Sequence, residues 1–190
     1  MRFFTTLIFS FLLTVTNVYA EEAAKTDKSA DAEKAVAEDK AETKDASAAI
    51  PMTIDQTVVK MKISEDVDLD EAVESMELRA NILNMKKVAY QPLYKEYEAL
   101  GLDNIRRTEI FQFCDAKIAK KMIEFNMSFS AYMPCRIILI EDEAGQGWLV
   151  MMNLDMFIQM ANLPEDLTKL ANEVSSKLTE IMTAGANGDL

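Results

Sequence analysis

The chain contains no histidine. That single absence removes Ser-His-Asp and Cys-His hydrolases, histidine-ligated zinc and imidazole proton relays. General acid–base work would fall to carboxylate, lysine, tyrosine or cysteine side chains. Cysteine is scarce as well: only Cys114 and Cys135 are present, without a CxxC, CxxCH or paired CxxC spacing. No phosphate-binding loop, nucleophile elbow or calcium loop occurs. After the first twenty residues no apolar run reaches the length of a membrane-spanning helix.

Positive charge is in short supply too. Twenty Lys and Arg stand against 32 Asp and Glu, for a net charge of −12. Residues 1–20 carry +1. Residues 21–50 carry five Lys against nine acids (−4), and residues 51–190 carry fourteen cations against 23 acids (−9). A domain this acidic repels a phosphate backbone, so nucleic acid is not an expected partner, and neither is an anionic lipid surface.

What is present divides into three segments. Residues 1–20 read as a signal peptide: one cation at Arg2, an apolar stretch from Phe3 to Val15, then Val18-Tyr19-Ala20 before a cleavage point after Ala20. The expected location is therefore the periplasm, with no stable membrane insertion once the leader is removed. Residues 21–50 are built almost wholly from Ala, Glu, Asp, Lys, Thr and Ser, with no apolar face to dock. They read as a disordered linker, either a tether or a passive leader. Residues 51–190 are the expected single globular domain, long enough to bury a core without staples.

Within that domain Val59, Met61 and Ile63 alternate with lysines as a half-buried strand. Asp68 opens a helix with Leu69, Val73, Met76, Ala80 and Leu83 on one face. A strand from Lys86 to Gln91 stops at Pro92, and a short helix from Leu93 to Leu100 ends at Gly101. A third strand runs from Thr108 to Phe113. Asp115 caps a helix striped by Ile118, Met122 and Phe125. Cys135–Ile140 and Gly147–Asn153 form a hairpin, and the run Ile137-Ile138-Leu139-Ile140 suggests burial on both faces. A short helix spans Asp155–Ala161. The longest helix follows Pro164, and the tail from Gly185 frays. The order β-α-β-(short α)-β-α-β-β-α-α predicts an α+β fold: a mixed or antiparallel sheet of about five strands covered by helices.

The two cysteines are the leading candidates for chemistry. Each falls at a strand end, and three readings stand side by side. A disulfide would close a loop of about twenty residues, worth roughly 3 kcal/mol in the chain-entropy model. Two buried, inert thiols are the second reading. A working site is the third, either a redox pair or thiolates on a soft metal or haem, with Met133, Met151 and Met152 as nearby thioethers. Arg136 follows Cys135 and would lower a thiol pKa if it pointed there, or else serves as an ordinary strand arginine. Lys117, Lys120 and Lys121 form either the wet face of their helix or a basic patch for an anionic ligand.

Three stretches, Ile110-Phe111-Gln112-Phe113-Cys114-Asp115, Met133-Pro134-Cys135-Arg136-Ile137-Ile138-Leu139-Ile140-Glu141 and Met151-Met152-Asn153-Leu154-Asp155, together resemble the domain-of-unknown-function 302 family. The resemblance covers roughly residues 58–182 and is most specific over 113–155. Asp115-Ala116 stands where that family commonly has Asn-Pro. The resemblance implies a small α+β fold, sometimes dimeric, and no particular activity. It also implies that Cys114 and Cys135 belong to the family pattern as a pair. The expected function is a non-enzymatic module that binds a small molecule or a periplasmic protein at the Cys114/Cys135 end of the sheet. The alternative is a thiol redox or soft-metal/haem-handling protein using those sulfurs. The sequence itself requires no cofactor.

Overall fold

The computed structural model describes residues 52–189. The leader and the linker expected over 1–50 lie outside them. Five strands form one sheet: β1 (Val58–Lys62), β2 (Lys86–Pro92), β3 (Thr108–Cys114), β4 (Cys135–Glu141) and β5 (Gly147–Met152). Their order is β1-β5-β4-β3-β2 and every pairing is antiparallel. The helices are α1 (Leu69–Ile82), α2 (Leu93–Ala99), α3 (Ala116–Phe125), α4 (Leu154–Met160) and α5 (Glu165–Asn187). Short 3-10 turns cover Ile54–Thr57 and Met127–Tyr132. The fold is α+β, as the sequence predicts, with the sheet antiparallel throughout. No helix of the described residues is long and apolar enough to cross a membrane.

Alternation along the strands assigns the two faces. Glu109, Phe111 and Phe113 of β3, Ile137 and Leu139 of β4, and Gly147, Leu149 and Met151 of β5 are buried together. Against them pack Ala72, Met76 and Ala80 of α1 and Leu178, Ile181, Met182 and Ala186 of α5. Full burial of side chains such as Phe111 or Leu149 contributes about 1.5–3 kcal/mol each, so this one layer supplies most of the stabilisation. The opposite face carries Ile110, Ile138, Ile140, Trp148 and Val150, all only half-buried. The β4 strand is thus buried on one face, not two: its four-residue aliphatic run places Ile137 and Leu139 under helices and Ile138 and Ile140 away from them.

Local chemistry sets the element boundaries. The Asp68 carboxylate accepts hydrogen bonds from the amides of Asp70 and Glu71 at 2.9 and 2.8 Å, capping α1. In the β4–β5 hairpin the Asp142 carboxylate accepts from the Ala144 and Gln146 amides and from the Trp148 indole at 3.0 Å. The indole bond comes first among the causes that hold this carboxyl below its ordinary range. Gly145 completes the turn at φ 78°. The β2–β3 register skips Val88, which bulges between Lys87 and Ala89.

One expectation is corrected at the end of α5, and the apolar face expected of α1 is found packed on the core. The helix expected to fray from Gly185 continues to Asn187, where Gly188 ends it in the left-handed region. Ala184, Gly185 and Ala186 are buried, because Gly185 lets α5 approach α1 at Met76 and Ala72. On α1 the buried positions are Ala72, Ser75, Met76 and Ala80, with Leu69, Val73 and Leu83 at the margin. Met76 and the Ala72 backbone meet α5 at Gly185.

Candidate functional site

The chain leaves the sheet at Cys114 and returns at Cys135, and the excursion between them builds one wall of a cavity. Asp115 caps α3: its Oδ1 accepts from the amides of Lys117 (3.0 Å) and Ile118 (3.2 Å). Capping sets the rotation of α3, so Ile118 and Met122 turn inward. Asn126 ends the helix and caps the following 3-10 turn, accepting from the Ser128 amide at 2.9 Å. That turn carries Phe129 against Ile118, Met122 and Leu167 of α5. Met133 and Pro134, joined by a cis peptide bond, lead into β4.

The opposite wall comes from α4 (Leu154, Phe157, Ile158, Met160), the connection after it (Ala161, Leu163) and α5 (Ala171, Val174). Phe113, Cys135 and Met85 reach the cavity from the main core, together with Met152 at the end of β5. The space is about 370 Å³, within the usual range for small-molecule sites. Aromatic pairs brace it: Tyr132 and Phe157 have ring centroids 5.5 Å apart, and Phe125 and Phe129 6.4 Å apart.

The lining is apolar and rich in sulfur. Five methionines (Met85, Met122, Met133, Met152, Met160) and both cysteines contribute to it. Its polar members are Asp115, Asn126, Ser128 and Tyr132, and the first two already spend side-chain oxygens on helix caps. Asp115 Oδ2 lies 3.8 Å from Lys177 Nζ, which also pairs with Glu173 at 2.6 Å.

The residues singled out in the sequence separate clearly. Cys114, Cys135 and Met133 line the cavity, and Met152 rather than Met151 joins them. Met151 belongs to the buried face of β5, beneath the helices. Arg136 pairs with Gln112 on the opposite face and is exposed. Cys114 and Cys135 are both free thiols, so the disulfide considered from the sequence is corrected. Strand register supplies the reason. Cys135 sits across from Phe113, and Cys114 across from Lys86 on the other neighbouring strand. A one-residue offset directs the two side chains to opposite sides of the pleat.

Both thiols are poor acids. Burial, followed by the neighbouring Cys114 thiolate, pushes Cys135 up to about 11 against a weaker opposing pull from Arg136. Burial, then the Asp115 charge, raises Cys114. At neutral pH both stay protonated, which disfavours nucleophilic or redox chemistry. Among the described residues no group of three or more His, Cys, Asp or Glu is arranged to hold a metal.

A second polar cluster, which the sequence reading missed, lies at the other end of β3. Glu109 is only 2% exposed. Its carboxylate accepts from Tyr90 Oη at 3.1 Å and from Arg107 Nε and Nη2 at 3.2 and 3.3 Å. Arg107 also donates from Nη2 to Asp70 (2.7 Å) and from its amide to Glu141 (2.8 Å). Burial, then the Glu109 charge, pushes the Tyr90 hydroxyl up to about 12. A signal existed: Glu109-x-Phe111-x-Phe113 places a carboxylate on the inward set of a strand, where it requires partners. No cavity opens beside this cluster among those described, and its bonds are satisfied internally.

Comparison with known proteins agrees with this architecture. No curated protein matches the chain. The crystal structure of an uncharacterized conserved DUF302 protein from Bacillus stearothermophilus superposes with a TM-score of 0.58. It is 17% identical and covers 67% of this chain and 97% of its own, a likeness of fold. The sequence pattern of Domain of unknown function DUF302 matches residues 59–185, from β1 into the buried end of α5. With most of the sheet, four helices, most of α5 and the whole cavity inside that match, the chain belongs to the DUF302 family.

Proposed function

We propose that this protein is an exported, periplasmic binding module that holds a small apolar molecule in the cavity between α3, α4 and α5. The observation that carries the reading is the cavity itself: about 370 Å³, walled by aromatic, aliphatic and methionine side chains, at the end of the sheet where both cysteines lie. Methionine walls adapt to irregular ligands, because an unbranched thioether repacks at little cost. Binding is favoured over catalysis because the cavity's ionisable groups are a capping carboxylate, two protonated thiols and the rim phenol of Tyr132, with no base set against a nucleophile. Export rests on the leader-like residues 1–20.

The test uses N-phenyl-1-naphthylamine, an uncharged dye whose emission rises in apolar surroundings. Wild-type protein is expected to bind it saturably. Ala171→Phe, which fills the cavity from α5, is expected to weaken binding at least tenfold while circular dichroism stays unchanged. No saturable binding, or equal binding by the filled variant, overturns the reading.

A second reading draws on the sulfur in the walls: the two thiols and the thioethers as a soft-metal, haem or redox site. Cys114→Ser/Cys135→Ser separates the two. Dye binding retained by that variant supports the apolar module. Loss of a bound soft metal or haem, or of thiol-dependent activity, supports the sulfur site.

A further inference from the structure

The cavity opens through an apolar rim on a locally basic part of an acidic domain. Phe125, Tyr132 and Met160 line the cavity and are nevertheless 48%, 45% and 62% exposed. Residues 51–190 carry −9, yet α3 holds Lys117, Lys120 and Lys121 against Glu124 alone, a local +2. On α3, Lys117, Lys121 and Phe125 follow at intervals of four, which places the two lysines in line with the rim phenylalanine. Lys120 is paired with Glu124, whereas Lys117 and Lys121 have no ion-pair partner among the described residues. The cavity's own carboxylate, Asp115, is turned to the α3 amides with Lys177 beside it.

Building on the binding role proposed above, we infer that the ligand is an anionic amphiphile, its apolar body in the cavity and its acidic head at Lys117 and Lys121. The walls offer an acidic head little that is free to donate. An anion therefore gains most at the mouth, where cations on a solvated helix face provide selectivity. A purely apolar ligand would leave the unpaired lysines without a role, and a cationic one would meet them unfavourably.

Two dyes with the same body isolate the head group: N-phenyl-1-naphthylamine and 8-anilinonaphthalene-1-sulfonate, which adds a sulfonate. The sulfonate is expected to bind more tightly than the neutral dye, and more weakly as salt rises from low to 0.5 M. Lys117→Gln/Lys121→Gln is expected to weaken the sulfonate about five- to tenfold, inside the span for two exposed ion pairs, and to leave the neutral dye within about twofold. Displacement by dodecanoate and by dodecyl phosphate then distinguishes a carboxylate source from a phosphate one. Equal binding of the two dyes, or indifference to the lysine substitutions, overturns this inference and leaves the apolar cavity reading standing. Failure of both dyes overturns both. Sulfonate binding untouched by Ala171→Phe would place the dye on the surface and also overturn the inference.

Discussion

Phe113 and Cys135 are direct partners across the β3–β4 ladder. This pairing places the Cys135 sulfur against the main core and leaves Cys114 one residue out of step, paired with β2 instead. The cysteines share a cavity without sharing a bond. A pair that looks like a staple in the sequence is, in the fold, two separate apolar contributions to one wall.

Intact mass after alkylation under denaturing conditions is expected to show two modified thiols, and alkylation of the native protein to be much slower at Cys135. The same burial predicts a pH dependence. The folded pKa of Cys135, about 11, lies above the ordinary 9.0, so its contribution to stability is full below pH 9 and is lost as pH rises through about 11. Tyr90, raised to about 12, acts in the same direction over a higher window. Urea midpoints of wild type and Cys135→Ala should differ in alkaline slope, with the variant the flatter. Parallel curves would contradict the assignment.

Arg107 is the principal partner of a carboxylate that has almost no access to water. Arg107→Met is expected to destabilise the protein by about 3 kcal/mol, because it leaves the buried Glu109 charge without its cation. The guanidinium side chain is itself 23% exposed, which keeps the cost at the low end of that class. Glu109→Met/Arg107→Met should recover most of the loss, since an apolar pair needs no compensation. Equilibrium urea unfolding measures both, and additive losses would show that the two residues do not act as a unit.

Gly185→Ala sets two effects against each other. Helix propensity favours alanine by about 1 kcal/mol. The added Cβ, however, would lie 2.4 Å from Met76 Cγ and 3.0 Å from both the Ala72 carbonyl oxygen and Leu149 Cδ1. Met76 is fully buried and Ala72 offers backbone, so overpacking of about 1–3 kcal/mol outweighs propensity. A net destabilisation of about 1 kcal/mol is expected in thermal or urea unfolding. A stabilised variant would mean that α1 and α5 separate freely.

Much of the fold is legible because local and global signals agree. Asp68 and Asp115 announce their helices and do cap them, and the period-two patterns of β3 and β5 match the buried set. The position of the cavity was legible through the two strand-end cysteines. Its composition was not. The cavity depends on α4, on the Met127–Tyr132 turn and on the start of α5, and nothing local in those segments shows which of their apolar residues meet across space. Met151 and Met152 illustrate the difficulty: adjacent and chemically identical, they are assigned opposite roles by the pleat alone. Glu109 failed for a different reason, since its meaning lies in Tyr90 and Arg107, which flank a helix and a long connection.

The bulge at Val88 also shapes an edge of the sheet. Among the described residues β2 and β1 each pair on one side only, leaving an outer row of backbone groups able to recruit another strand. On β2 the bulge breaks the spacing of that row, Pro92 removes a donor, and Lys86 and Lys87 surround it with charge. Lys60 and Lys62 do the same on β1. An incoming strand would have to bury these cations and match an interrupted ladder, which protects the sheet against templated, amyloid-like growth.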